Sequence, residues 1–129
     1  MAMVHAPGFL ALVNEAKTRV TSCSVEDFLA KLETGEQFVL IDVREDHEWV
    51  KGHIPGAHHM GRGILERDIE KALPEKDTPI VLYCGGGFRS VLAADQLQRM
   101  GYTDVTSLDG GWSGWLERGL PTADPTGAS

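Results

Sequence analysis

The feature that most constrains this chain is the segment of residues 79–90, PIVLYCGGGFRS. Four apolar residues follow Pro79 without polar alternation, which is typical of a parallel strand buried on both faces. A proline fits at the start of such a strand because it lacks only the first donor of the ladder. Cys84 comes directly after this run, and three glycines and Phe88 lead to Arg89, where a helical pattern begins. The segment predicts a strand with a cysteine at its carboxyl end, then a glycine loop and a helix.

The glycine loop has the composition of an anion-binding turn. Gly85, Gly86 and Gly87 allow positive φ angles, so that successive N–H groups can converge on one point. The start of the helix adds unpaired N–H groups and the positive end of its dipole, and Arg89 adds a guanidinium. A thiolate is favoured in such surroundings, which makes Cys84 a candidate nucleophile. A buried structural cysteine in a tight strand-to-helix connection is the alternative.

Composition limits the classes of protein that this chain can belong to. Its 129 residues, 42% hydrophobic and 24% charged, are ordinary for one soluble globular domain. A formal net charge of −7 argues against general binding to nucleic acid or to anionic membranes, so an anionic substrate would need a local positive site. The N-terminus lacks the pattern of a secretory signal, and the apolar segment 9–13 is too short to cross a membrane. We therefore expect a cytoplasmic protein.

The cysteines and histidines do not form a recognisable metal-binding pattern. Only Cys23 and Cys84 are present, with no C-x-x-C and no Cys/His zinc spacing, which fits a reducing compartment. Cys23 lies between a strand and a helix cap, where a buried side chain is a better interpretation than a redox role. His53, His58 and His59 lie in a turn-rich segment without a carboxylate or thiol that completes a ligand set. We expect no metal, and we expect His53 to tie down its loop.

Helical and strand patterns alternate along the whole chain. The predicted strands are 20–23, 38–42, 58–59, 80–83 and 105–108, and the predicted helices are 9–16, 25–34, 64–73 and 89–100 with a last turn at 112–116. In the second helix, Phe28, Leu29 and Leu32 are expected to face inward. With no internal repeat and no linker, this order predicts one α/β domain with a mainly parallel sheet flanked by helices. We expect a helical extension at 1–19, the main domain at 20–121 and a flexible tail at 122–129.

A second group of polar residues follows the strand at 38–42. Asp42, Arg44 and Glu45 place three charges within four residues at the carboxyl end of this strand. In open α/β sheets, ligands bind at the edge where the carboxyl ends of the strands lie. Asp42 and Cys84 are therefore predicted to share one edge of the sheet.

Several short segments together resemble one known family, the single-domain rhodaneses, or thiosulfate sulfurtransferase-like proteins. They occur in the order of the family from about residue 22 to residue 121, and they are DVRE at 42–45, Glu48 with Trp49, GHIPGA at 52–57, CGGGFRS at 84–90, Gly101 with Tyr102, and DGGW at 109–112. Each segment alone is weak, but the set is highly specific.

The resemblance implies a three-layer rhodanese fold, with a central five-stranded parallel sheet and helices on both sides. It implies that Cys84 carries sulfur as a persulfide, that Arg89 is the second catalytic residue, and that the other loop residues bind substrate, namely Gly85, Gly86, Gly87, Phe88 and Ser90. The thiolate would attack the outer sulfur of a donor such as thiosulfate, sulfite would leave, and cyanide or a thiol would accept the sulfur. No metal or organic cofactor is needed, and a protein is a possible donor or acceptor.

The resemblance also covers the segment at 42–45. Asp42 and Arg44 match the Asp-x-Arg of the family, where we expect supporting pairings, Arg44 with Glu48 and Asp42 with loop amides. Arg62 and Glu66 flank the start of a helix that faces the presumed pocket, and neither they nor His58 and His59 receive a role.

One departure and two alternatives qualify the prediction. Several family members carry a further basic residue in the loop, whereas residues 85–88 are Gly-Gly-Gly-Phe here, which weakens the case for thiosulfate as the donor. Phe88 favours a less polar or protein-borne persulfide donor. The first alternative is a sulfur carrier or interaction module with little free turnover. The second is a related Cys-based phosphatase, but such enzymes have five residues between the cysteine and the arginine, and this chain has four.

Overall fold

The computed structural model describes residues 5–125, and these form a single parallel sheet with helices on both faces. The strands, which lie in the order β1-β5-β4-β2-β3, are β1 (Thr21–Cys23), β2 (Val39–Asp42), β3 (His58–His59), β4 (Ile80–Tyr83) and β5 (Val105–Leu108). The helices are α1 (Pro7–Lys17), α2 (Val25–Glu33), α3 (Asp46–Trp49), α4 (Leu65–Ala72), α5 (Arg89–Arg99) and α6 (Gly111–Glu117). The predicted α/β fold class is confirmed.

Strand β4 is the centre of the hydrophobic core, because its side chains alternate between two clusters. Ile80 and Leu82 belong to a cluster that α4 and α5 complete on one face of the sheet. Val81 and Tyr83 belong to a second cluster with residues of α2 and α6 on the other face. The four apolar residues before Cys84 are all buried, as their uninterrupted sequence predicts.

Helix α2 follows the local signals in its sequence but differs on one residue. Ser24 and Asp27 form a reciprocal capping box at its start, and Gly35 takes a φ of 71° after its end. Phe28 is buried, whereas the side chain of Leu32 is 49% exposed, so the expectation that Leu32 faces inward is wrong. The rings of Phe38 and Trp115 pack edge-on against Phe28 and fill the space under the helix.

Both ends of the described chain are attached to the domain. Helix α1 packs on α5, where Val13 and Ala16 form a buried cluster with Val91. Near the other end, Ala123 exchanges two backbone hydrogen bonds with His53, of 2.8 and 2.9 Å. Ala123 is thus held, although a flexible tail is predicted from residue 122; residues 1–4 and 126–129 lie outside the described part. Within residues 5–125, no helix is long and apolar enough to cross a membrane.

Candidate active site

The carboxyl ends of two neighbouring strands bring the predicted site residues to one edge of the sheet. Strand β2 pairs with β4 in parallel, and Asp42 lies opposite Tyr83 in the register. Cys84 follows Tyr83 directly, so it shares this edge with Asp42 and Arg44, as predicted. Topology alone therefore brings together two segments that are about forty residues apart in the sequence.

The loop at 84–90 curls around the sulfur of Cys84. The N–H groups of Gly87 and Ser90 donate to Sγ at 3.2 and 3.4 Å, and the Ser90 hydroxyl lies 3.6 Å from it. Ser90 Oγ is in turn 2.8 Å from Ser107 Oγ, and both serines are fully buried. Cys84 is 1% exposed, yet it lines an open pocket of about 900 Å³. The amides of the loop converge on the sulfur, and the pocket leaves the sulfur a route to solvent. This arrangement suits an anionic nucleophile.

One of the three loop glycines has the positive φ that this curl requires. Gly87 has a φ of 96°, and a Cβ on it would lie 3.3 Å from the backbone nitrogen of Gly110. A Cβ on Gly86 would meet only the ring of Phe88, at 3.7 Å. Of the three glycines that allow a positive φ, Gly87 alone adopts one and makes the left-handed turn.

The start of α6 closes the loop from the other side. The N–H groups of Trp112 and Ser113 donate to the carbonyl oxygens of Cys84 and Gly85, at 2.8 and 2.9 Å. Gly111 has a φ of 49°, and a Cβ there would collide with the Cys84 carbonyl. Glycine is therefore required at position 111 for this close approach, in addition to the turn that the sequence of 109–111 predicts.

Arg89 is held by a carboxylate that the sequence did not identify as its partner. Its guanidinium donates two hydrogen bonds to Glu48, of 2.7 and 3.1 Å, from the first residue of α5 to the short helix α3. The hydrogen bond from Arg89 is the main cause that lowers the pKa of Glu48 to about 2. The pKa of Arg89 is raised, chiefly by its hydrogen bond to Glu48. Arg89 and Cys84 line the same pocket.

Asp42 and Arg44 form a buried pair, and one of the two contacts predicted for them, that of Arg44 with Glu48, is absent. Asp42 is fully buried, and both its oxygens accept from the Arg44 side chain at 2.8 to 3.1 Å. Arg44 does not reach Glu48, but Asp42 accepts from a loop amide as predicted, that of Arg44 in the loop after β2, at 2.9 Å. A buried carboxylate is destabilising unless a cation pairs with it, and the Arg44 guanidinium, two residues away, pairs with Asp42. Arg44 also donates to the Gly52 carbonyl at 2.6 Å and lies over the Trp112 ring, so the pair supports the loops of the site.

The histidines contribute to packing at this edge. His53 stacks on Trp49, with ring centroids 3.5 Å apart, and its backbone pairs with Ala123, so it ties down its loop as predicted. A ring nitrogen of His59 lies 2.8 Å from the Arg44 carbonyl oxygen, and His59 also stacks on Trp49. Within residues 5–125, no three His, Cys, Asp or Glu side chains are grouped so as to hold a metal ion.

Three further residues considered in the sequence analysis do not line the pocket around Cys84. Arg62 and Glu66 pair with each other at 2.6 Å, and neither is among the residues that line the pocket around Cys84. Cys23 lies at the end of β1, where burial raises the pKa of its thiol. These positions fit structural roles.

The pocket itself extends beyond the loop. Besides Cys84 and its neighbours it is lined by Glu48, Trp112, Ser113 and Glu117, and from α1 and the residues before it by His5 and Phe9. The helical periodicity of α1 predicts a packed helix, but it does not show that the helix reaches the site, because only the tertiary arrangement places it over Phe88.

Comparisons with known proteins agree with this geometry. The Rhodanese-like domain family matches residues 24–118. A thiosulfate sulfurtransferase GlpE from Shewanella oneidensis is 35% identical over 89 residues, which make up 69% of this chain and 86% of that protein. A sulfurtransferase from Allochromatium vinosum is 32% identical over 108 residues, or 84% of this chain and 99% of that protein.

Solved structures are similar over still more of the chain. A Rhodopseudomonas palustris protein of unknown function, described as a possible tyrosine phosphatase, has a TM-score of 0.81 and 32% identity, with 94% of this chain and 98% of that chain covered. A homodimeric polysulfide-sulfur transferase from Wolinella succinogenes has a TM-score of 0.75 and 32% identity, with 92% and 89% covered. The family match over most of the chain, the fold, and the cysteine loop at the sheet edge together show that the chain belongs to the rhodanese-like family and is a rhodanese-type sulfurtransferase.

Proposed function

We propose that the enzyme transfers sulfane sulfur through a persulfide on Cys84, taking it from thiosulfate or another persulfide and giving it to a thiol or to cyanide. The observation that carries this proposal is the set of donors around Sγ. Two loop amides donate to the sulfur, and Arg89 lines the same pocket as Cys84. Such donors stabilise negative charge on the thiolate and on the persulfide alike.

The reaction then has two balanced steps. The Cys84 thiolate attacks the outer sulfur of the donor, a new S–S bond forms, and the S–S bond of thiosulfate breaks so that sulfite leaves with the electron pair. In the second step the acceptor attacks the outer sulfur of the persulfide, and the Cys84 thiolate leaves. Neither step requires an oxidant or a reductant.

The loop residues have separate parts in this proposal. Gly87 and Ser90 hold the attacking sulfur through their amides, while Gly85, Gly86 and Phe88 line the space in front of it. Arg89 stabilises the leaving anion. Asp42 and Arg44 act by positioning, since their buried pair holds the neighbouring loops and not the substrate. Both cysteines are free thiols, which supports the cytoplasmic location that we propose.

A stoichiometric experiment tests the proposal. The protein is mixed with an excess of thiosulfate without an acceptor, released sulfite is measured, and after removal of unreacted donor cyanide is added and thiocyanate is measured. We expect one sulfite for each protein molecule before cyanide, from wild type and from Cys23→Ser, and none from Cys84→Ser. Sulfite release by Cys84→Ser would overturn the proposal. Complete loading with negligible steady-state turnover would instead favour the sulfur carrier.

A further inference from the structure

Helix α1 and His5, two residues before it, build one wall of the active-site pocket. Residues 5–17 lie outside the segment 24–118 that matches the rhodanese-like family. The ring of His5 is nevertheless 4.4 Å from that of Phe88 in the active-site loop and 5.3 Å from that of Phe9, and Phe9 is 6.2 Å from Phe88. With Trp112, these rings give the pocket an aromatic lining in front of Cys84.

This wall is fixed relative to the nucleophile. Val13 and Ala16 of α1 are buried against Val91 of α5, and Arg19 donates to both oxygens of Asp95, at 3.0 and 2.9 Å. Helix α5 begins at Arg89, the arginine of the site loop. Because α1 is anchored on the helix that carries the site, Phe9 is held over the pocket and does not depend on substrate to place it.

The charges of the pocket disfavour a doubly charged donor. Within the described residues, the carboxylates of Glu48 and Glu117 line it against the single guanidinium of Arg89. Among the lining residues, two negative charges against one positive charge leave one negative, and the guanidinium is already paired with Glu48. The nearby ammonium of Lys17 is not part of the lining and lies 5.6 Å from the centroid of the Phe88 ring. Like charges repel, and the repulsion grows with the charge of the ligand, so the dianion thiosulfate is penalised more than a monoanion.

We infer that the preferred donor is a monoanionic organic sulfane-sulfur compound with an apolar body, such as the persulfide of an apolar or aromatic thiol, and that Phe9 and Phe88 determine this specificity. The inference rests on the proposed function, since the same Cys84 thiolate attacks the outer sulfur. A Cys84 persulfide forms, the S–S bond of the donor breaks, and the organic thiolate leaves with the electron pair. The apolar body is then buried against the aromatic wall.

Three sulfur donors distinguish the effect of the donor's organic body from the effect of its charge. Benzenethiosulfonate and methanethiosulfonate are monoanions with the same terminal sulfur and differ only in the body, whereas thiosulfate is a dianion without an organic body. With each donor the outer sulfur passes to Cys84, and benzenesulfinate, methanesulfinate or sulfite leaves. We expect wild type to show a kcat/KM for benzenethiosulfonate that exceeds those for the other two donors by about tenfold or more, the scale of discrimination of an apolar pocket.

Variants locate the source of the preference. Phe9→Ala should lower the ratio of kcat/KM for benzenethiosulfonate to that for methanethiosulfonate about fivefold. Leu12→Ala is the matched control, since Leu12 lies on the same helix with its side chain 60% exposed, and this ratio should be unchanged. Comparison of ratios between variants cancels the intrinsic reactivity of the two donors. Phe88→Ala repeats the test from the loop side, and circular dichroism verifies that each variant is folded.

A variant of Glu48 tests the effect of the pocket charge on the choice of donor. Glu48→Gln removes one carboxylate charge, and it should raise kcat/KM for thiosulfate relative to benzenethiosulfonate several-fold. A preference for thiosulfate in wild type, or an equal fall with both thiosulfonates in folded Phe9→Ala and Phe88→Ala, would overturn the inference while leaving the Cys84 persulfide intact. Failure of every donor to load Cys84 would instead contradict the proposed function.

Discussion

Arg89 and Glu48 form an ion pair at the rim of the active-site loop, although they are 41 positions apart in the sequence. The two hydrogen bonds hold the guanidinium across the first glycine of the loop, where a Cβ on Gly85 would lie 3.1 Å from Arg89 Nη2. The pair orients the arginine over Gly85, next to Cys84 in the loop, and also offsets part of the positive charge of Arg89. Arg89 is thus placed to stabilise an anion that forms during the reaction while it attracts a ground-state dianion only weakly.

Replacement of Arg89 by alanine should slow sulfur loading far more than it weakens folding. Loss of a charged donor to a developing anion costs about 2 to 4 kcal/mol of transition-state stabilisation, or roughly 30-fold to 1,000-fold in rate. The measurement is single-turnover sulfite release from thiosulfate, with the thermal midpoint recorded in parallel. Arg62→Ala is the control, because Arg62 pairs with Glu66 outside the pocket. Loading at the parental rate, or an unfolded variant, would make Arg89 a structural residue.

The pair should also make stability depend on pH. The folded pKa of Glu48 is about 2, below its ordinary value of 4.5, so its ionised form stabilises the fold above pH 4.5 and this contribution is lost as the pH falls towards 2. Urea unfolding of wild type and Glu48→Gln should therefore show a difference in the free energy of unfolding near pH 6 that narrows near pH 3. A difference that stays constant or widens on acidification would contradict the role of this carboxylate.

Much of the fold follows from local patterns in the sequence, but the charge network does not. The strand before Cys84 is an uninterrupted apolar run and the helix from Arg89 has apolar periodicity, so the positions of Cys84 and its loop were predictable. Helix α3 has only four residues, too few for a periodic pattern, and a capping box between Glu45 and Glu48 was its one local signal.

The partner of Arg89 could not be predicted because the pair is tertiary. The prediction that Arg44 contacts Glu48 is wrong. Side chains four residues apart are neighbours on a helix, but α3 begins at Asp46, after Arg44. Glu48 is thereby free to meet Arg89, and Arg44 folds back on Asp42. The contribution of α1 to the pocket was missed for the same reason, since helical periodicity gives the buried face of a helix but not its neighbour.

Two glycines of the loop should respond differently to alanine. Gly86→Ala adds a methyl group that meets only the Phe88 ring, so loading should change less than about threefold. Gly87→Ala forces a side chain into a positive φ and against the backbone of Gly110, which should cost about 1 to 2 kcal/mol and displace an amide that holds the sulfur. Sulfite release and urea unfolding measure both effects. Equal behaviour of the two variants would show that the turn at Gly87 does not shape the site.

Loop length should exclude phosphatase chemistry, which one structural neighbour makes worth testing. Four residues separate Cys84 from Arg89, and such a ring should fit a terminal sulfur while crowding the oxygens of a phosphoryl group. Each unmet polar contact costs about 1 to 3 kcal/mol, so two or three suppress hydrolysis by several orders of magnitude. Wild type should therefore show essentially no hydrolysis of an aryl phosphate. Robust hydrolysis that Cys84→Ser abolishes would show that loop length does not set the chemistry.

The transferred sulfur should reside on Cys84, and peptide mass spectrometry can locate it. Wild-type protein is treated with a sulfur donor, digested without reductant, and the peptides that contain Cys23 and Cys84 are compared with those of untreated protein. We expect a gain of one sulfur atom on the Cys84 peptide, no gain on the Cys23 peptide, and loss of the added sulfur after cyanide. Added sulfur on Cys23, or sulfur transfer at the parental rate by Cys84→Ser, would contradict it.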